Sequence, residues 1–317
     1  MRRIHVALAA VVIGSLPFHL ASAGPTSRVA TAGHFALQID REAPFVVAFA
    51  EGGAGVAEVV EEPLVPGSSI PLKHLGAIDY QPVLVGVGAS GPPALHLWLG
   101  EFLEAHQARK SCSLVMYDAS NHRRGQLDVS NALIAELRFP ALDATGQDVA
   151  YLTLGLAPES TTFRLGDGAN VAAVAEPASK RWYPSNYRIQ LGGLPCNRIK
   201  KLDGFSVKQQ ILPDSSTPGA RVPGKIEYPN LTFHISTVDL EAWADYYKNF
   251  VINGQNGNDA ELGGRIDLLA ADLQTVLLRV QLSGVGIFKL QVLGAASDAP
   301  GLFTVDLYVE SMTLGPP

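Results

Sequence analysis

Ile78-Asp79-Tyr80-Gln81-Pro82-Val83-Leu84-Val85-Gly86-Val87 and Ile226-Glu227-Tyr228-Pro229-Asn230-Leu231-Thr232-Phe233-His234-Ile235 carry the reading of this chain. Both run Ile-acid-Tyr-x-x-apolar-x-apolar-x-apolar, at an offset of 226 − 78 = 148 residues. Such alternation predicts a strand with one buried face. Each stretch is followed by a leucine, a tryptophan and an aromatic at i, i+3 and i+7. These are Leu95, Trp98 and Phe102, then Leu240, Trp243 and Tyr247. That spacing puts all three on one face of a helix. Trp98 and Trp243 are therefore the expected helix-to-sheet core residues.

The matching continues outward in the same order. Phe35 to Ile39 aligns with Tyr187 to Leu191, and Leu114 to Tyr117 with Ile266 to Leu269, both at offset 152 (187 − 35 and 266 − 114). Strands are expected at Asn131 to Phe139 and Gly284 to Val292. The last pair is Val149 to Leu156 and Phe303 to Val309. Repetition of this length predicts a tandem duplication. The expected organisation is residues 1–23 as a signal peptide, 24–156 as domain 1, 157–185 as a linker and 186–317 as domain 2. Each copy has about six strands and one helix. A single sheet would leave an apolar face bare, so the fold class is mainly β, a sandwich or barrel with one flanking helix per copy.

Composition narrows the function. The chain has 317 residues, 47% hydrophobic and 17% charged, which excludes bulk disorder. Gly 31 and Pro 21 favour many short elements. The net charge of −6 argues against a surface that grips phosphate backbones. No apolar run long enough to span a membrane lies beyond the N-terminus. Arg2 and Arg3, the apolar stretch Ile4 to Leu20, and Ala21-Ser22-Ala23 before Gly24 read as a secretory signal cleaved between Ala23 and Gly24. An extracellular or periplasmic destination disfavours ATP or NAD chemistry. It also permits oxidation, making Cys112 and Cys196 a candidate disulfide within or between chains.

Two long Gly/Pro/Ser stretches interrupt the copies, Glu51 to Pro71 and Leu212 to Gly224. Loops of that length are usually functional. Gly52, Gly53, Gly55, Pro66 and Gly67 in the first, and Pro218 and Gly219 in the second, mark them as candidate ring-stacking loops.

With these stretches in order, the chain resembles the phage tail-tube proteins and the related haemolysin-coregulated tube protein of type VI secretion. The resemblance rests on His34-Phe35-Ala36-Leu37-Gln38-Ile39-Asp40, Val59-Val60-Glu61-Glu62 and Leu72-Lys73-His74-Leu75. It extends to the Leu-x-x-Trp helices, to Lys201-Leu202-Asp203-Gly204-Phe205 and to Val222-Pro223-Gly224-Lys225. It implies six-domain rings stacked into a hollow tube, here closed by a trimer of two-domain chains. The signal peptide departs from that family, whose phage members assemble in the cytoplasm.

Chemical motifs are sparse. Gly86-Val87-Gly88-Ala89-Ser90-Gly91 has the spacing of a dinucleotide loop, but Pro92-Pro93 follows and no βαβ series surrounds it, so it reads as a strand-to-helix turn. The histidines lack metal-ligand spacing. GxSxG is absent, and adjacent Glu61-Glu62 point apart on a strand. Asn253 to Asp259 is oxygen-rich, without the acid spacing of a calcium loop, and reads as a polar turn. The basic run Arg198, Lys200, Lys201 and Lys208 is either a solvated strand face or one side of an interface between unlike domains. The reading is a secreted, self-assembling structural protein, with no enzymatic role, no cofactor, no nucleotide and no nucleic acid. The alternative is a monomeric secreted β-sandwich binding module, an adhesin or carbohydrate binder.

Overall fold

Two strands of 17 residues, one in each half, organise the chain. The computed structural model describes residues 33–64, 69–106, 108–170, 181–217, 219–292 and 301–316. The signal segment with Ala23 and Gly24 lies outside the described residues, as do Pro66, Gly67 and Pro218. No described helix is long and apolar enough to cross a membrane.

The first half runs β1 (His34–Ile39), β2 (Phe45–Val47), β3 (Phe49–Gly52), β4 (Gly55–Glu61), β5 (Lys73–Tyr80), β6 (Val83–Val87), α1 (Pro93–Leu103), β7 (Lys110–Tyr117), β8 (Arg123–Phe139), β9 (Leu142–Asp143), β10 (Leu152–Ala157) and β11 (Ser160–Leu165). The second runs β12 (Tyr187–Leu191), β13 (Ile199–Leu202), β14 (Phe205–Pro213), β15 (Arg221–Glu227), β16 (Leu231–Ser236), α2 (Leu240–Tyr247), β17 (Leu262–Leu269), β18 (Val276–Val292) and β19 (Leu302–Leu314). The protein is mainly β.

The two halves share one wiring. The first sheet is ordered β1-β7-β8-β10-β6-β3, and the second β12-β17-β18-β19-β16-β13. Each curls into a barrel-like sheet. In the second, the Tyr187 hydroxyl donates to the Ile199 carbonyl at 2.8 Å and ties the end strands β12 and β13 together. Irregularities recur too. A bulge falls between Gly155 and Leu156 where β10 meets β8, and between Ile287 and Lys289 where β18 meets β19. Another falls at Lys110/Cys112 and at Leu262/Gly264. Asn131 and Gly284 both take positive φ, 48° and 61°, at corresponding points of the long strands. Asn and Gly are the residues that enter this region at least cost.

Inward-facing residues of both barrels form one contiguous core, from Leu37, Val85 and Leu137 to Phe233, Val285 and Phe303. α1 starts on Pro92-Pro93, where a missing N–H costs nothing. α2 follows a 3-10 turn, Thr237–Asp239, and leads into a π-helical turn, Lys248–Ile252.

Four expectations need correction. The continuous strands expected over Ile78–Val87 and Ile226–Ile235 each break, at Gln81-Pro82 and at Tyr228-Pro229-Asn230. A proline has no N–H to give a ladder and is at home at strand breaks and edges. The Gly/Pro-rich stretches are two-stranded hairpins, β4–β5 and β14–β15, rather than loops. The expected linker from residue 157 begins as strand structure: β11 pairs along β8, and Trp182 is fully buried. Finally, Cys112 and Cys196 form no bridge within the chain. Cys112 lies in β7, buried in the first barrel's core, and Cys196 in the turn between β12 and β13, half-buried against the core. No bridge joins them. Burial pushes the Cys112 thiol up to about 12 and that of Cys196 to about 11.

Candidate assembly interface

The second barrel lends a strand to the first. β14 leaves the second barrel after Gly204 and runs antiparallel along the end of β8, Phe205 opposite Phe139, Ser206 opposite Arg138, Val207 opposite Leu137 and Lys208 opposite Glu136. The rings of Phe139 and Phe205 stack with centroids 4.6 Å apart. Burial by itself raises the Glu136 carboxyl. Hydrogen bonds from Arg138 and Ser206 and the charge of Lys208 outweigh it and hold the group low. The exchange is mutual. β9, from the first half, pairs with β13 at the edge of the second sheet, Lys201 opposite Asp143. Two of the four residues in the basic run thus face acids of the other barrel.

Beyond the ladder, polar contacts tie the β14–β15 hairpin to the first half. The Arg221 guanidinium donates to Asp79 Oδ1 at 2.6 Å and to the Tyr80 carbonyl at 3.0 Å. The Arg221 carbonyl accepts from Arg109 at 2.6 Å. The Tyr228 hydroxyl donates to the Leu103 carbonyl at the end of α1, at 2.6 Å. A shallow cleft of about 610 Å³ follows the seam, lined by Arg138, Phe139, Phe205, Lys208 and Glu227. Among the described residues, no group of three or more His, Cys, Asp or Glu side chains is placed to hold a metal.

Among the described residues, the first half's own hairpin, β4–β5, pairs only with itself. It projects with its apolar residues in solvent: Val59 is 59% exposed, Leu75 76% and Ile78 61%. Gly52 and Gly53, at φ 90° and 75°, form the turn by which it leaves the barrel. A Cβ on Gly52 would strike the Pro82 carbonyl oxygen at 2.1 Å, so this turn requires glycine.

Residues 31–162 match the family model described as T4-like virus tail tube protein gp19. That stretch spans β1 to β10, including the exposed hairpin and the Trp98 helix.

Over residues 31–162 this chain is similar to the tail tube family.

Solved structures similar to this tail-tube-like chain include an anti-feeding prophage cap that terminates its tube, 18% identical, covering 50% of this chain and 96% of that one at a TM-score of 0.37. A sheath-tube complex of an extracellular contractile injection system is also 18% identical, covering 48% and 99% at a TM-score of 0.37. No curated protein matches. Both helix tryptophans are buried and hydrogen-bonded. The Trp98 indole donates to the Ala108 carbonyl at 3.0 Å, and the Trp243 indole to the Pro195 carbonyl at 3.1 Å. Of the expected stacking residues, Gly52, Gly53 and Gly55 sit at the root of β4, and Gly219 at the tip of β14–β15. The strand exchange at β8 was hidden in the sequence. Its only trace there was the basic run, which periodicity cannot assign to a partner.

Proposed function

We propose that this protein is a secreted tube subunit. Its two halves are copies of one tail tube domain, and three chains close a six-barrel ring that stacks into a hollow tube or filament. One observation carries the reading: the second barrel is already docked on the first through a strand added to β8. Two like domains in head-to-tail contact leave a donor at one end and an acceptor at the other. Repetition of such a heterologous contact yields a ring if the rotation closes. The shared strand order, bulges and positive-φ positions support the duplication. The β4–β5 and β14–β15 hairpins are the elements that reach the next ring. The N-terminal signal directs the chain out of the cytoplasm. Negative-stain microscopy and light scattering of residues 24–317 test this. Rings near three chain masses, pelleting as filaments at high concentration, are expected. A monomer at every concentration overturns the reading and leaves the monomeric binding module.

A further inference from the structure

The chain holds one barrel docked on another and, among the described residues, leaves the matching surfaces unpaired at its two ends. In the proposed ring, on which this inference rests, the open ends of neighbouring chains meet. The donor that corresponds to β14 is found by register. In β14–β15, Lys208 faces Glu227 and Gln209 faces Ile226, with a bulge before Ile211. In β4–β5, Val56 faces Asp79 and Ala57 faces Ile78, with a bulge before Val59. The offsets are 208 − 56 = 152 and 227 − 79 = 148 throughout. Phe205–Lys208 thus corresponds to Gly53–Val56.

The acceptor is located in the same way. Glu136 faces Gly155 and, past the bulge, Ile134 faces Leu156; Lys289 faces Asp306 and, past the bulge, Ile287 faces Leu307. The offset is 289 − 136 = 153, so Glu136–Phe139 corresponds to Lys289–Val292. β17 covers that side of β18 only as far as Val285, and among the described residues no strand pairs beyond it. Burial reports the difference. Under β14, Phe139 is 2% exposed, whereas Val292 at the corresponding place is 59% exposed. An unpaired sheet edge is a template for another strand.

Charge points to the same partner. The docked hairpin is held by Arg221 on Asp79 at 2.6 Å. The corresponding pair is Lys73 and Glu227 (221 − 73 = 148 and 227 − 79 = 148), with the same signs, and both are exposed.

We infer that β4 of one chain adds to the open edge of β18 in a second copy. The strands run antiparallel, Gly53 opposite Val292, Ala54 opposite Gln291, Gly55 opposite Leu290 and Val56 opposite Lys289, with Lys73 facing Glu227. The donor is Gly-Ala-Gly-Val where β14 offers Phe-Ser-Val-Lys. The joint between chains therefore buries less side chain than the joint within one. Main-chain hydrogen bonds hold it, as in other strand additions.

The test uses residues 24–317 carrying Ala54→Cys and Gln291→Cys, oxidised with copper phenanthroline, beside unsubstituted protein to set the baseline from the two native thiols. Covalent dimers and trimers on a non-reducing gel are expected, at least tenfold above baseline and above the off-register pair Ala54→Cys with Lys289→Cys. Separately, Lys73→Glu and Glu227→Lys should each raise the concentration needed for assembly roughly three- to tenfold, and the double variant should restore it. Rings by microscopy without the in-register cross-link and without charge rescue overturn this pairing and leave the ring itself standing. Protein that stays monomeric overturns both.

Discussion

Asp267 on β17 is fully buried, with Arg279 at 2.7 Å, Arg188 at 2.7 Å and Arg265 at 3.7 Å around its carboxylate. Burial alone would raise its carboxyl; hydrogen bonds from Arg279 and Arg188 outweigh that and hold it below the ordinary range. A lowered folded-state value means stability that is present above the unfolded value and lost as pH falls through the folded one. Unfolding free energy should therefore drop below about pH 4, the usual carboxylate range. Removing the charge leaves the arginines facing one another. Asp267→Asn should cost about 3 kcal/mol at pH 7 and flatten the acid dependence, read from urea midpoints across pH. The corresponding place in the first half is Val115 (267 − 152 = 115), packed with Ala36 and Tyr117. The same fold position is thus served by a charge cluster in one barrel and by apolar packing in the other. That difference is plain in the residue types, but the arginines gather only because neighbouring strands bring Arg188, Arg265 and Arg279 onto one face.

Each helix buries one tryptophan, beside Leu95, Leu99, Phe102 and Leu103 in α1. The two indoles donate to unrelated carbonyls, Ala108 after α1 and Pro195 in the turn between β12 and β13. Trp98→Ala and Trp243→Ala should each cost about 3–5 kcal/mol through lost transfer energy and the cavity left behind, measured by denaturant unfolding. Trp→Phe at either site should cost less, since most of the apolar ring area is kept. The hairpins divide into root and tip. The root of β14 is sheet, paired with β8; the tip carries exposed side chains. If the tips join successive rings, replacing residues 58–77 with an Asn-Gly turn should keep rings and abolish long tubes. Tubes of normal length from that variant, seen by negative stain, would rule out this role for the β4–β5 hairpin. The helices and most strands were legible from period and turn residues. The hairpins were not, because Gly/Pro-rich composition hides a ladder made of main-chain groups.

At the scale of the molecule the barrels are interlocked. β14 completes the sheet of the first, β9 extends the sheet of the second, and one core runs through both. Neither half can open without stripping a strand from the other. Calorimetry of residues 24–317 should show a single transition with equal calorimetric and van't Hoff enthalpies; two resolved transitions would mean independent halves. The sequence by itself determined where the helices and most strands of the barrels fall and that both tryptophans are buried, because side-chain periodicity is written residue by residue. Only the tertiary structure decided which edge each hairpin joins and that the two cysteines stand apart. Strand pairing is made by backbone groups that every residue carries, between segments far apart in the chain. No local pattern of side chains records the partner, and its position appears only when the barrels are closed.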